Sequence, residues 1–153
     1  MRHAISIIGC NQLKRWVQLA IFAADDSQGI DNPIVDMAAV RAAFMEGLAA
    51  LHPELREQHS SPDQAFMVGI LSLLKDLYDI QMDEIVSGLN LSDEIRGALL
   101  NREGALGMIL NLAEMIERME LDEAVTLLEK VGIPLLSVFN CQKNAYSWRK
   151  GMA

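Results

Sequence analysis

The side chains that could do chemistry in this chain are few, and its three histidines come first. His3, His52 and His59 are candidate metal ligands or general bases. A helical metal site needs two histidines at i and i+4, or a histidine followed by an aspartate, and the sequence has neither arrangement. His52 and His59 flank a predicted loop, where we expect both to be exposed to solvent. The histidines therefore predict no metal centre and no cofactor site.

The cysteines and glycines add no catalytic motif. The chain has no Gly-x-Ser-x-Gly nucleophile turn and no glycine-rich phosphate loop. Cys10 and Cys141 lie at opposite ends of the chain, and we expect both to be small apolar packing residues in a reducing cytoplasm. The sequence therefore predicts no covalent catalyst.

Arg41 is the most distinctive charged residue, because it falls in the middle of an apolar helical stripe. The stripe consists of Ile34, Met37, Phe44, Met45 and Leu48. A buried guanidinium needs partners, since an unpaired buried charge is very costly. One interpretation is an anion-binding arginine for a phosphate or nucleotide; the other, which we favour, is an internal salt bridge that fixes helix packing. We expect the counter-ion to come from another segment, and Asp76 is the candidate.

Two tryptophans beside basic residues could form interaction surfaces. Arg15 and Trp16 would suit a ligand site with an indole beside a cation, although tryptophan at this helical spacing is typical of a core. Trp148 precedes Arg149 near the C-terminus, where it would either anchor the last helix or form part of an interface. The sequence leaves both alternatives open.

These residues must be positioned by helices, because strand-forming residues are scarce. The chain has a single threonine, Thr126, and two tyrosines. Hydrophobic periodicity and Pro/Gly punctuation predict helices at 2–9, 11–24, 33–51, 62–78, 82–88, 92–102, 105–119, 121–131 and 134–149. Ser61 and Gln64 form a predicted capping box at the start of helix 62–78. The fold class predicted is all-α, a compact bundle of about eight or nine helices in a single domain, 1–153.

Helix 62–78 carries a resemblance to a known superfamily. The run Ala65-Phe66-x-x-Gly69-Ile70-Leu71 resembles the approach to the His-Asp dipeptide of the HD metal phosphohydrolases, where Ala-Phe-x-x-Gly-Leu-Leu precedes His-Asp. Ser72 and Leu73 stand at the two positions of that dipeptide. A serine hydroxyl is a poor ligand for a transition metal, and leucine is none. The resemblance therefore implies a vestigial site, with Leu73 reassigned to the apolar stripe of the helix.

The remaining pattern resembles the HDOD (HD-related output domain) family, in the variant found behind an EAL domain in bacterial cyclic-dinucleotide signalling proteins. Six segments match in order, at 3–9, 13–19, 40–46, 91–99, 104–107 and 145–148. Domains of this family carry further helices before the segment that matches 3–9. We therefore expect this chain to be an N-terminally incomplete HDOD-like domain.

The resemblance implies a regulatory, non-enzymatic module that needs no cofactor. It would act in signal transduction through contacts with a partner protein or a neighbouring EAL-like domain. Two alternatives stay open. The first is a metal-dependent phosphohydrolase of the HD superfamily with unrecognised ligands, and the second is a sensor of a small anion or nucleotide in the vestigial cleft around Arg41.

Charge and hydropathy limit the other classes of function. The net charge is −8, which argues against a surface that neutralises phosphates, so we predict no nucleic-acid partner. The acidic cluster at residues 114–123 is predicted to be a solvated face. No apolar run approaches the ~18 residues of a membrane span, and the N-terminal residues do not resemble a signal peptide. We therefore expect a cytoplasmic protein without a membrane segment.

Overall fold

The structure is a computed structural model that describes residues 33–151. Eight helices follow one another in this range: α1 (Pro33–Leu51), α2 (Ser61–Leu71), α3 (Leu74–Tyr78), α4 (Met82–Gly88), α5 (Asp93–Asn101), α6 (Gly104–Glu117), α7 (Leu121–Val131) and α8 (Leu135–Lys150). Residues 33–151 contain no strand, so the predicted all-α class is confirmed for this range. The predicted helices 2–9 and 11–24 lie outside the described residues.

The bundle is organised around the pair α1 and α2, and α6 packs against both. A glycine allows the pair to approach closely. A Cβ atom on Gly69 of α2 would lie 2.5 Å from the Cα and 2.9 Å from the amide nitrogen of Ala42 in α1. Because that contact is with backbone, only a residue without a side chain fits at this position. The close approach brings the C-terminal end of α2 against Arg41.

The main core lies where α1, α2, α5 and α6 meet, with α7 packed on α6 and α8 packed on α1. Its large, fully buried side chains are Met45, Leu48, Val68, Val86, Leu99, Ile109, Leu110 and Val138. They come from six of the eight helices, so the apolar faces predicted from helical periodicity converge on one core.

A smaller cluster closes the other side of the α1–α2 pair. Phe66 and Ile70 of α2 pack there with Ala42 of α1, and the half-buried Trp148 of α8 packs against them. The rings of Phe66 and Trp148 meet edge to face, with centroids 6.0 Å apart and planes at 89°. The last helix is thereby attached to the first two.

The single helix predicted at 62–78 is interrupted in the structure. α2 ends at Leu71 and α3 begins at Leu74. At the break the Ser72 hydroxyl donates a hydrogen bond to the carbonyl oxygen of Gly69 at 2.7 Å, and the Leu73 amide bonds Ile70 in the tighter i→i−3 pattern. A serine that bonds a carbonyl of the preceding turn competes with the helical ladder and bends it. Periodicity alone does not reveal this competition.

The predicted capping box at Ser61 is also wrong. The residue preceding α2 is Ser60, and its side chain makes no cap hydrogen bond. The single hydrogen of the Ser61 hydroxyl is instead shared between the carbonyl oxygens of Leu55 and Gln58 in the preceding loop. The serine is fully buried, and its hydroxyl hydrogen-bonds carbonyl oxygens of the loop rather than amides of the helix.

α7 and α8 form the last corner of the bundle. The left-handed Gly132 ends α7, and Pro134 precedes the first residue of α8. None of the described helices alone has the length and apolar character of a membrane span; α7 and α8 meet that test only as a pair, which is bent by 114°.

Candidate functional site: the Arg41 network

Ser72 and Leu73, the residues at the vestigial His-Asp position, are both built into the interior. Ser72 is 3% exposed, and its hydroxyl accepts a hydrogen bond from Nη1 of Arg41 at 2.8 Å while it donates to Gly69. Leu73 is 5% exposed. The hydroxyl oxygen is thus occupied from two sides, and the leucine contributes apolar surface to the core.

Arg41 lies buried in the face of α1, with 6% of its surface exposed. Its Nε donates to Oε1 of Glu117 at 2.8 Å and its Nη2 donates to Oε2 of the same carboxylate. This two-pronged geometry matches the planar guanidinium to the planar carboxylate and is the strongest form of this ion pair. The bond to Ser72 adds a third contact from α2.

Asp76 is not the counter-ion, and that prediction is wrong. Asp76 lies exposed on α3, beyond the break at Ser72, while Glu117 comes from the last turn of α6. Glu117 is 76 residues away from Arg41 along the chain. No local pattern links the two, so only the packing of α6 against α1 brings them together.

The network continues from Arg41 into α5. Glu114 places Oε1 3.9 Å from Nη1 of Arg41 and accepts two hydrogen bonds from Arg102, at 2.7 and 3.0 Å. Arg102 follows α5 in a left-handed conformation with φ of 58°, and its guanidinium also donates to the carbonyl oxygen of Leu99. The Arg41 network is defined here as Ser72, Arg41, Glu114, Glu117 and Arg102.

The Arg41 network has equal numbers of opposite charges, two guanidiniums and two carboxylates. The Glu114 side chain is only 16% exposed, so this residue departs from the predicted solvated face, whereas Glu117, whose side chain is 29% exposed, lies at the edge of that face. A paired charge with satisfied donors avoids most of the desolvation cost of an isolated one. The arrangement fits the structural interpretation of Arg41, as a residue that fixes how α1, α2 and α6 pack.

Residues 33–151 contain no group of three or more histidine, cysteine, aspartate or glutamate side chains placed to hold a metal ion. The sequence also predicted a possible ligand site at Arg15 and Trp16. Both residues lie outside the described residues. Trp148 is placed against Phe66, which corresponds to the predicted anchoring of the last helix.

A cavity of about 300 Å³ opens beside Arg41, between α1, α6 and α8. Two ion pairs lie on its walls, Arg41 with Glu117 and Arg149 with Asp36. Its remaining lining is mainly apolar, with Pro33, Met37, Val40, Phe44, Ala113, Ile116 and Tyr146, and it includes the amide of Gln142. The sequence indicated an anion site in a cleft around Arg41 as one alternative, but it did not predict these walls, because they come from three separate helices.

A second cavity, of about 440 Å³, lies between the loop after α1 and the N-terminal ends of α5 and α6. Four carboxylates line it, from Glu54, Asp93, Glu94 and Glu103. Three of them adjoin or begin a helix, where an acidic side chain is stabilised by the positive end of the helix dipole. The helix dipoles therefore explain the placement of Asp93, Glu94 and Glu103.

His52 is buried, with 3% of its surface exposed, so the prediction that it faces solvent is wrong. Its Nδ1 accepts a hydrogen bond from the amide of Glu54 at 3.2 Å, and its Nε2 has no partner among residues 33–151. Burial lowers the pKa of His52, and the negative charge of Glu54 offsets part of that shift. His59 is exposed as predicted.

Cys141 lies half-buried on α8 as a free thiol, opposite Gly47 of α1. Burial raises the pKa of this thiol, which keeps it in the unreactive protonated form. This placement agrees with the predicted role of a small packing residue. Cys10 lies outside the described residues.

The class of protein that this geometry defines is an all-helical bundle, and a buried ion-pair network contacts Ser72, one of the two positions that the sequence resemblance assigns to a metal-binding pair. The chain is similar to the cyclic di-GMP phosphodiesterase CdgJ of Vibrio cholerae serotype O1, with 32% identity over 117 residues, or 76% of this chain and 26% of CdgJ. It is also similar to the uncharacterized protein YuxH of Bacillus subtilis (strain 168), with 26% identity over 150 residues, or 97% of this chain and 35% of YuxH.

The chain thus spans between about a quarter and about a third of the length of these two relatives. No known family profile matches it. No solved structure matches it either.

Proposed function

We propose that this chain is a non-catalytic regulatory domain of the HDOD type that acts in bacterial cyclic-dinucleotide signalling, in the cytoplasm. It would act by binding a partner protein or a neighbouring EAL-like domain, with no covalent bond made or broken. The observation that carries the proposal is the role of Ser72 and Leu73 in the packing of the bundle.

Those two residues support the proposal through the chemistry of their side chains. The Ser72 oxygen is held between Arg41 and Gly69, and Leu73 is buried. One of the two lone pairs of the Ser72 oxygen accepts from Arg41, and a cation at the other would lie beside the positively charged guanidinium, which repels it. The position is therefore occupied by contacts that oppose the binding of a cation.

The similarity to CdgJ supports the link to cyclic-dinucleotide signalling. CdgJ is named a cyclic di-GMP phosphodiesterase, and the matched region is 26% of its length. We assign a regulatory role, without phosphodiesterase activity of its own, to the part of this chain that matches CdgJ.

The enzyme alternative is tested on the purified chain by metal analysis and by hydrolysis assays with cyclic di-GMP and with bis(p-nitrophenyl) phosphate, each with added Mn²⁺. We expect metal well below one equivalent and no turnover above the protein-free rate. One bound equivalent of metal, with turnover that Ser72→Ala abolishes and Ser87→Ala preserves, would establish a phosphohydrolase instead. Ser87 is a suitable control because it lies exposed on α4.

The regulatory role is tested by adding the chain to an EAL-type cyclic di-GMP phosphodiesterase from the same organism. We expect a saturable change in the hydrolysis rate and a complex detectable by analytical ultracentrifugation. If neither the rate nor the sedimentation of the phosphodiesterase changes at tens of micromolar chain, a range that corresponds to roughly −6 to −7 kcal/mol of binding free energy, the proposed partner class is wrong.

A further inference from the structure

We propose that the cavity of about 300 Å³ between α1, α6 and α8 binds a small organic monoanion with an apolar body, such as an aromatic carboxylate. The binding of this ligand does not depend on the proposed regulatory role. Its ligand would bind by replacing the Glu117 carboxylate on the buried Arg41.

Two guanidiniums with unused donors line the cavity. The bonds to Glu117 and Ser72 use one hydrogen on each nitrogen of Arg41, so one hydrogen remains on Nη1 and one on Nη2. Arg149 donates Nε and Nη2 to a single oxygen of Asp36, which leaves its Nη1 without a protein partner among residues 33–151. The cavity therefore offers donors for a carboxylate beyond those already paired.

Glu117 is the counter-ion that can be exchanged. It is the last residue of α6, where the negative end of the helix dipole disfavours a carboxylate, and its side chain is 29% exposed. It can turn outward into water without leaving the helix. Asp36 lies in the first turn of α1, where the dipole stabilises it, so the pair with Arg149 is expected to persist.

The charge balance selects a monoanion. With both ion pairs in place, the cavity wall carries two positive and two negative charges, from Arg41, Arg149, Asp36 and Glu117. When Glu117 turns into solvent, one positive charge is left uncompensated in the buried wall. A ligand with one negative charge restores neutrality, whereas a polyphosphate would leave excess buried charge.

The size and lining of the cavity define the rest of the ligand. Val40, Phe44 and Ile116 offer apolar walls to a hydrocarbon body. A volume of about 300 Å³ corresponds to roughly ten water molecules at ~30 Å³ each, so the ligand has on the order of ten non-hydrogen atoms. A cyclic dinucleotide is several times larger, so this site is not one for the signalling nucleotide.

The test is isothermal titration of the full chain with benzoate and with 3-phenylpropionate. Benzamide serves as the neutral isostere of benzoate, and inorganic phosphate serves as an anion without an apolar body. We expect the two carboxylates to bind with dissociation constants of about 1 mM or tighter, and the other two compounds to bind at least about tenfold more weakly.

Variants separate the exchange mechanism from simple filling of an apolar cavity. Glu117→Gln removes the competing charge and should tighten benzoate binding about tenfold. Arg41→Lys keeps the positive charge but loses the planar pair of N–H donors that matches a carboxylate, so it should weaken benzoate binding by a similar factor. Circular dichroism checks that this variant folds. The matched controls Glu120→Gln and Arg118→Gln alter charges just beyond α6 that do not line the cavity, and they should leave binding unchanged.

Two outcomes would overturn the proposal. The first is the absence of carboxylate binding in both the wild-type chain and Glu117→Gln at 10 mM, about tenfold above the expected dissociation constant. The second is equal binding of benzoate and benzamide, which would show an apolar cavity without anion selectivity. Neither outcome affects the proposed regulatory role, which is measured with a phosphodiesterase partner.

Discussion

At the residue scale, a buried arginine bonds to Ser72, one of the two residues that the sequence resemblance places at the position of a metal-binding pair. Arg41 contacts Ser72 at the end of α2 and Glu117 at the end of α6. A buried ion pair of this kind gives little net stability compared with apolar packing, but removal of one partner leaves an uncompensated charge. The Arg41 network therefore restricts substitution at each of its members.

Ser72→Ala tests the contribution of the hydroxyl. The change removes the acceptor for Nη1 of Arg41 in the interior, so we expect the free energy of unfolding to fall by about 1–3 kcal/mol. Urea unfolding followed by circular dichroism measures the loss. Ser87→Ala is the matched control, because Ser87 bonds a carbonyl at the exposed surface of α4; a loss there equal to that of Ser72→Ala would contradict the role assigned to Ser72.

His52 predicts a dependence of stability on pH. Burial lowers its pKa below the ordinary value, about 6.5, so the unfolded chain takes up a proton before the folded chain does. The stability from the neutral buried ring is retained above that pH and lost as the pH falls below it. We expect the urea midpoint to drop between about pH 7 and pH 5, and this drop to shrink in His52→Gln. His59→Gln, at an exposed site, is the control that should leave the drop unchanged.

At the scale of the elements, the contact of α1 with α2 depends on Gly69. A methyl group there would meet the backbone of Ala42 at 2.5 Å, and backbone cannot move aside as a side chain can. We expect Gly69→Ala to lower the free energy of unfolding by at least about 2 kcal/mol, despite the better helix propensity of alanine. Gly88→Ala is the control, since no packing neighbour of α4 among residues 33–151 lies within 4 Å of its added methyl group. Equal unfolding free energies for the two variants would contradict the close packing at Gly69.

Sequence patterns predict most of the described helices because their signals are local. The predicted ranges 33–51, 82–88 and 121–131 coincide with α1, α4 and α7, whose ends are marked in part by Pro33, Gly88 and Gly132. What the patterns do not predict depends on partners distant in sequence. The break at Ser72 involves a bond to Arg41, 31 residues away, and Glu117 is recognisable as a counter-ion only once α6 lies against α1.

The exposure of histidines shows the same limit. His52 and His59 lie seven residues apart around one loop, yet His52 is buried and His59 is exposed. The difference arises because the chain continues from α1 for one residue before turning, so that the His52 amide still bonds Leu48 as in the helix. A sequence pattern places the loop but not the side of it that faces the core.

At the scale of the whole molecule, α8 connects the end of the described chain to its beginning. Arg149 pairs with Asp36, and Trp148 packs on Phe66, so contacts with separations of up to 113 residues hold α8 to α1 and α2. The ion pair is partly exposed and contributes at most about 1 kcal/mol. The aromatic contact, which buries apolar surface, is therefore the main attachment of this end of the helix.

Trp148→Ala tests whether α8 is an integral part of the bundle. The change removes the edge-to-face contact with Phe66 and opens the small cluster around Ala42, so we expect the free energy of unfolding to fall by about 2–4 kcal/mol. Phe139→Ala is the matched control on the same helix, since Phe139 is 53% exposed and should change stability by less than about 1 kcal/mol.

The measurement is urea unfolding followed by circular dichroism, which reports the helices of the whole bundle. A single cooperative transition shifted to lower urea would show that α8 unfolds together with α1 and α2. If Trp148→Ala instead left the main transition in place and only reduced the helical signal before it, α8 would be a separately folding element. In that case Arg149 would no longer be held at the cavity wall, so the same variant should also weaken benzoate binding.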